Sequence, residues 1–528
     1  MSPLPTSTLN CLDHCGRLAP LLAIVIFVSQ HSLLRADDDQ HSLLRADEEK
    51  AIDSDNRPNI LLIVSEDNGQ ELGCYGDPYV STPRLDELAD QGVRFHNAYV
   101  PQAGCSQSRA AYFTGLYPHQ NGQIGLATWK YRLYDPQTPN LVRSLHDVGY
   151  RTAILGKLHV NPASAFPFDS HQIKTANFSR KGLNEYASKA AKVFQSSDRP
   201  FFLCVNYPDA HRPFLDQIDG LPKRILSGDD ITPLKYFGLD TAELRSDTAA
   251  YYNCMQRLDS LVGDLLDALE SSGQADKTIV IYLGDHGADL LRGKRTSYEG
   301  GLRVPLIIRW PGRTSEGLVR QELVSSLDLY PTLLEITKLD SPGKLAGRSL
   351  LPLLHSSTPD WREYLFTEYH LHSAHNFFPQ RTVRDARYKL IQNLLPEQVN
   401  PGYAFTEQRF FEGLSAVIER SSDPVRQAYQ RMRKPPEFEL YDLENDPHEF
   451  ENLASNREHR ETLTRLQTTL ASWRDQTNDP LLDPRNLEQL KAEIDDCFVD
   501  GKPNKQHLEL NYPEYFFEST SPPKRSED

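Results

Sequence analysis

The chain has 528 residues, 39% of them hydrophobic and 25% charged, the make-up of a soluble globular protein long enough for a large core and a smaller second one. A net charge of -16 argues against nucleic acid as a partner, because phosphate backbones are held by basic surfaces. It leaves open a small anionic substrate in a locally cationic cleft.

Arg17 precedes an apolar run, Leu18 to Val28, that is too short for a comfortable membrane span and matches a signal-peptide core. Residues 1–36 therefore read as a signal peptide, predicting export to a periplasm or the outside and no stable membrane insertion. The seven letters from His31 to Asp37 recur from His41 to Asp47, and the acidic surroundings make 37–57 a solvated linker. None of the seven cysteines forms a Cys-x-x-Cys pair, so neither a zinc site nor a disulfide framework is indicated.

From Asn59 short apolar runs alternate with helical stretches, the rhythm of an α/β sheet over 58–360. Asn59 to Val64 is a strand-like run, aliphatic without a break from Ile60 onward as in a strand buried on both faces, and it runs into Glu66 and Asp67. A helix follows from Pro83, with Thr82 as N-cap, and Gly92 stops it. Val93 to Val100 alternates like one strand and delivers the chain to Cys105, at the start of a helix-forming run that contains Arg109. Further strands are expected at Arg151–Leu155, before Lys157 and His159, and at Phe201–Val205, before Asp209 and His211. A long helix from about Thr248 to Leu269 leads to a strand at Thr278–Leu283 that ends in Asp285 and His286, and Lys294 lies just beyond. One more strand is expected at Pro305–Ile308. Residues 361–480 read as a smaller antiparallel α+β subdomain, and 481–528 as a polar tail whose Tyr512, Tyr515, Phe516 and Phe517 offer a way to pin it back.

Ligands of open α/β sheets bind beyond the carboxyl ends of the strands, and these polar groups fall there, which places all five in one cleft. Glu66, Asp67 and Asp285 together require a cation, and their oxygens suit calcium or magnesium. His286 fits such an ion less well. Lys157, Arg109 and Lys294 supply positive charge for a tetrahedral anion, and His159 and His211 are acid–base candidates. This combination points to hydrolysis of a sulfate or phosphate ester. A thiolate beside a hard cation is a chemical mismatch, which makes Cys105 read as the precursor of an oxygen-bearing group.

Cys105-Ser106-Gln107-Ser108-Arg109, with Gly115 and Leu116 behind it, resembles the signature of type I sulfatases, whose cysteine is oxidised to formylglycine. The segments around His119-Gln120-Asn121-Gly122, Gly156-Lys157-Leu158-His159, Asp209-Ala210-His211-Arg212 and Asp446-Pro447-His448-Glu449 follow in the order seen in the sulfamidase, or heparan N-sulfatase, branch. The resemblance implies an alkaline-phosphatase-like fold, with 58–360 as the catalytic domain, and one calcium ion held by Glu66, Asp67, Asp285 and His286. It further implies a formylglycine hydrate at position 105, activated by the metal and Arg109, that attacks sulfur. Lys157 would hold sulfate oxygens, His211 with Lys294 would protonate the leaving group, and His159 would take the proton that lets sulfate depart. The partners implied are a sulfated saccharide, either heparan-type N-sulfoglucosamine or an O-sulfated glycan, and the formylglycine-generating enzyme, with a homodimer as the open oligomeric option. Gln107 stands where the signature usually has proline, Glu66 where it has aspartate, and Lys294 with Tyr298-Glu299-Gly300-Gly301 looks more like O-sulfatases. Two alternatives remain: a phosphoester or phosphonate hydrolase on the same fold, and a non-catalytic glycan-binding relative in which Cys105 is not matured.

Overall fold

A computed structural model describes residues 57–196, 199–356, 358–403 and 412–520. The expected signal peptide and the tandem-repeat linker lie outside the described residues. Eight strands make the main sheet: β1 (Asn59–Ser65), β2 (Val93–Phe95), β4 (Arg151–Leu155), β5 (Ser170–Gln172), β6 (Phe201–Tyr207), β7 (Thr278–Gly284), β8 (Leu306–Arg309) and β9 (Leu318–Arg320). Their order across the sheet is β5-β4-β6-β1-β7-β8-β2-β9. β8 alone is antiparallel to its neighbours, so this is the mixed, mostly parallel sheet that the alternating pattern predicts.

β1 lies between β6 and β7, with Leu62 opposite Cys204 on one side and Ile281 on the other. All seven of its residues are buried, which is why its sequence lacks the polar alternation of a one-sided strand. Helices cover both faces. The 30-residue α3 (Ala242–Ser271), about 45 Å long at 1.5 Å per residue, outruns its expected ends at Thr248 and Leu269. It also caps its neighbour α1 (Pro83–Asp90): Arg84 N and Leu85 N donate to Asp259 Oδ1 at 3.1 and 2.8 Å. The Thr82 hydroxyl instead accepts from Gly73 N at 2.8 Å and donates to Asp86, so the cap expected from Thr82 comes from another helix.

The expected single strand from Val93 to Val100 is broken at His96 and Asn97. β2 stays in the main sheet, and β3 (Ala98–Tyr99) leaves it to pair with β10 (Val324–Ser325). Carbonyl contacts explain the break, because His96 O accepts from the guanidinium of Arg303 at 2.8 Å and from Gln70 at 2.9 Å. Cys105 therefore reaches the site from a separate two-stranded ladder, not from the end of a main-sheet strand.

The second sheet is an antiparallel meander of β11 (Leu365–Tyr369), β12 (Gln380–Arg384), β13 (Tyr388–Asn393) and β14 (Phe438–Asp442). Helix α4 (Arg460–Gln476) lays Leu466, Leu470 and Trp473 on Val383, Leu390 and Leu440, and this core also takes in Ala111 and Leu327 of the first part. The stretch after Pro480 folds, despite its polar composition. Leu490, Ile494 and Cys497 recur at helical spacing around α5 (Pro484–Asp495), and α6 (Tyr512–Thr520) buries Tyr512 and Phe516. Tyr512 OH donates to Gly122 O at 2.8 Å and accepts from Arg132 N at 2.9 Å. Among the described residues no helix is long and apolar enough to cross a membrane.

Candidate functional site

The carboxyl ends of β4, β6, β1 and β7 lie side by side in the sheet and deliver Lys157 and His159, His211, Glu66 and Asp67, and Asp285 and His286 to one place. Local backbone geometry turns these side chains inward. Asp67 and His159 occupy the left-handed region, at φ 50° and 58°, a conformation costing roughly 1 kcal/mol for a residue with a Cβ. Between β4 and Lys157 the chain passes so near β6 that a Cβ on Gly156 would sit 2.2 Å from Asn206 O. Glycine is required there twice over, since its φ is +92°.

Helix α2 (Cys105–Thr114) begins at Cys105, and every residue in it is buried. Its first turn is latched to the loop after β11, where the Gln107 side-chain amide donates to Leu371 O at 2.6 Å and to Ile124 O at 3.2 Å. One turn on, Arg109 organises the anionic half of the site. Its Nη2 donates to Glu66 Oε1 at 2.7 Å and Asp285 Oδ2 at 3.0 Å, while Nη1 reaches Asn206 Oδ1 and Lys157 O. Lys157 Nζ donates to Glu66 Oε2 at 2.8 Å, and Lys294 Nζ donates to both oxygens of Asp67 at 2.8 and 3.0 Å. Three carboxylates are thus matched by three cations. Burial alone would raise the Glu66 pKa, but Lys157 and then Arg109 hold it down to about 2. Asp67 is likewise held below its ordinary range, chiefly by Lys294 acting against burial.

Cys105 Sγ lies 3.3 Å from His286 Nε2. His286 Nδ1 donates to Gly287 O at 2.9 Å, so Nε2 is turned toward the thiol, Asp67 Oδ1 at 3.3 Å and Asp285 Oδ1 at 3.6 Å. Anionic oxygens on that side demand positive charge, from a proton on the ring or from a divalent cation. Burial opposes the proton, but Asp285, Cys105 and Asp67 raise the pKa to about 9. Donor atoms of Glu66, Asp67, Cys105 and His211 lie within 4.8 Å of one another, as do those of Cys105, Asp285 and His286. A donor set rich in carboxylate oxygen, with its imidazole oriented by a backbone carbonyl, fits a hard divalent cation.

On the other side of Cys105 opens a cavity of about 500 Å³, within the roughly 300–1,000 Å³ usual for small-molecule sites. His159 and His211 line it. Burial and the Lys157 charge push His159 well below its ordinary pKa, and its Nδ1 has no hydrogen-bond partner among the described residues. His211 donates Nδ1–H to Arg212 O and stacks on Phe178, ring centroids 4.0 Å apart and planes 14° from parallel. Burial, with Lys294 among its cationic neighbours, lowers the His211 pKa although Asp67 pulls it up. Its Nε2 is therefore an acceptor until an anion arrives.

All ten expected site residues converge here, with two revisions to the chemistry. Asp209 does not face the cleft: it is fully buried and accepts from Arg257 twice at 2.7 Å and from Arg180 at 3.0 Å, so it braces the loop that carries His211. Arg109 does not offer its fork to a substrate anion, since the carboxylates and Asn206 occupy it. The sequence reading passed over Asn206, Phe178 and His372. The first two carry no signal in one sequence. His372 belongs to a run of three histidines with His370 and His375 just after β11, and that run was a visible cue.

Residues 58–339 match the family described as Sulfatase, and residues 284–401 match the one described as N-sulphoglucosamine sulphohydrolase, C-terminal. The chain is 32% identical over 465 residues to human N-sulphoglucosamine sulphohydrolase, covering 80% of this chain and 91% of that one. It is 28% identical to an ulvan-active sulfatase of Formosa agariphila, covering 85% and 88%. Its fold is similar to that of a 2-O GAG sulfatase (TM-score 0.62, 22% identity, 86% of this chain and 98% of the other). It is also similar to a protein solved with its substrate D-glucosamine-2-N,6-O-disulfate (TM-score 0.57, 21% identity, 80% and 98%).

Proposed function

Because the chain belongs to the sulfatase family, we propose that it hydrolyses the sulfate of a sulfated sugar or glycan, either the N-sulfate of a heparan-type glucosamine or an O-sulfate. The observation that carries this reading is the position of Cys105, between an anionic pocket fit for a cation and a cavity lined by lysine and imidazole. Glu66, Asp67, Asp285 and His286 would hold calcium, which would polarise a sulfate oxygen. Maturation of Cys105 to formylglycine by a generating enzyme would put an oxygen nucleophile where Sγ now stands.

The chain's own residues do the rest. Lys157 Nζ, at the cavity wall, neutralises sulfate charge and keeps its hold on Glu66. Entry of the anion raises the affinity of His211 Nε2 for a proton, which the ring then gives to the leaving nitrogen or oxygen. Lys294, fixed by Asp67, adds positive charge beside Cys105 and helps discharge that proton. His159, kept neutral by burial and Lys157, serves as the base when sulfate leaves. Export by the N-terminal segment and self-association as a homodimer complete the reading.

The test is mass spectrometry of the Cys105 peptide from the native host, together with sulfate release from N-sulfoglucosamine and an aryl sulfate. Formylglycine at 105 is expected, with turnover lost to chelator and restored by calcium. Unmodified cysteine throughout, or faster cleavage of an aryl phosphate, would sink the proposal.

A further inference from the structure

The lining of the cavity is one-sided in charge. Lys157, Lys174, His159, His171, His211 and His372 border it, and among the described residues no aspartate or glutamate does, in a chain of net charge -16. The two lysines are related by the sheet. β4 and the edge strand β5 are parallel with Leu155 opposite Gln172, so Lys157 and Lys174 each stand two residues beyond the same register pair on adjacent strands. Such strands lie about 4.8 Å apart, which brings like charges out at one edge. Lys157 is compensated by Glu66. Lys174 is exposed, and no hydrogen bond or ion pair engages it among the described residues. It lies at the start of the strap Ile173–Arg180, which Arg180 ties down to Asp209 and which lays Phe178 over His211, with Lys157 Nζ 5.6 Å from the Phe178 ring centre. Nearby, His171 donates Nε2–H to Gly156 O, which fixes its ring beside the cavity.

We propose that the cavity takes a substrate with a second anionic oxygen group, a sulfate on the same sugar or a carboxylate on its neighbour, and that Lys174 is the residue that receives it. The proposal rests on the cavity being the sulfated-sugar site. A ligand with one scissile sulfate leaves Lys174 facing water, whereas a doubly charged one gives this cation its only counter-charge among the described residues. Cavity walls that lack carboxylates bring no repulsion against the second group. A neutral sugar hydroxyl gains nothing comparable from an ammonium group.

Affinity decides this without turnover. Isothermal titration on the Cys105→Ala protein would compare three probes: N-sulfoglucosamine, D-glucosamine-2-N,6-O-disulfate, and N-sulfoglucosamine joined to a uronate. One of the doubly charged probes is expected to bind about fivefold more tightly than the first at low salt, the scale of an exposed charge pair, and its identity names the second group. Adding Lys174→Ala removes the preference and adding Lys174→Glu reverses it, at a surface position where neither change disturbs the core. Equal affinities, no binding of any probe, or a preference that survives both substitutions overturns the proposal. The underlying reading fails by a different result, the absence of sulfate release from the matured wild-type protein whatever the affinities.

Discussion

Replacing Asp209 tests how the site is held. Its carboxylate accepts three charge-assisted hydrogen bonds, at 2.7, 2.7 and 3.0 Å, from two arginines that are themselves buried. Removing it leaves two guanidinium groups without their counter-ion, and breaking a buried pair in this way costs about 3–5 kcal/mol. That is a large part of the roughly 5–15 kcal/mol by which a domain is stable. The backbone of the same residue is clasped to that of Glu66, since Glu66 N donates to Asp209 O at 3.1 Å and Ala210 N donates to Glu66 O at 2.6 Å. Loosening the loop shifts both His211 and Glu66, and a displacement of about 1 Å in a catalytic group lowers turnover on the order of 100-fold. Asp209→Ala should therefore lower both the urea midpoint and kcat, with KM nearly unchanged, and Asp209→Asn should fall between. An unfolding free energy within about 1 kcal/mol of wild type, with a KM raised more than tenfold, would refute this reasoning. It would put the carboxylate on the substrate.

Four more outcomes follow from particular contacts. Phe178→Ala removes a stack and a cation–π contact worth together about 1–2 kcal/mol, so kcat should fall roughly 5- to 30-fold with a displaced pH profile, and Phe178→Trp should restore most of it. Arg109→Lys loses the planar fork that joins Glu66 to Asp285, and kcat/KM should drop on the order of 100-fold even where the protein folds, as read by steady-state rates beside circular dichroism. Burial would raise the Glu368 pKa, but His119 and Arg381 hold it at about 2 against an ordinary 4.5. Its contribution of roughly 3 kcal/mol is therefore fully present above pH 4.5 and lost as pH falls toward 2, and Glu368→Gln should flatten the pH dependence of urea unfolding across that window. Gln107→Pro should lower stability by about 1–2 kcal/mol, since it deletes two side-chain hydrogen bonds at a buried junction, while mass spectrometry follows the formylglycine yield.

The sequence announced the strands because the middle of a strand buried on both faces shows no polar alternation, and the inner runs of β1, β4, β6 and β7, Ile60–Val64, Ala153–Leu155, Phe201–Val205 and Ile279–Leu283, are apolar without a break. It announced the site for a related reason: the residues that follow these strands stand next to one another only through the sheet order, and a parallel sheet puts all their exits at one edge. What stayed hidden was pairing. Asp209 reads as a cleft carboxylate until Arg180 and Arg257 are seen to enclose it, and neither is its sequence neighbour. Thr82 reads as a helix cap until Asp259, on a helix far along the chain, takes that place. The aromatic pins of the tail were legible, and Tyr512 and Phe516 are buried, but the helix before them escaped notice because its apolar residues are sparse, although Leu490, Ile494 and Cys497 keep helical spacing.

Gln107 is the residue at which local reading and tertiary structure differ most. Beside a signature that usually carries proline, it looks like a defect in the maturation motif. In the fold its amide and that of Gln102 donate to the same two carbonyls, Ile124 O and Leu371 O. These belong to the loop after α2 and to the loop after β11, so the pair of glutamines joins the helix of Cys105 to the second sheet. Proline has no side-chain donor, and at position 107 it would leave both carbonyls to Gln102 alone. The departure from the signature thus has a structural counterpart in this chain: the residue that varies in the helix of Cys105 also carries the contact holding that helix to the antiparallel sheet. His372, one residue beyond Leu371, lines the cavity, so this latch fixes the cavity wall as well as Cys105.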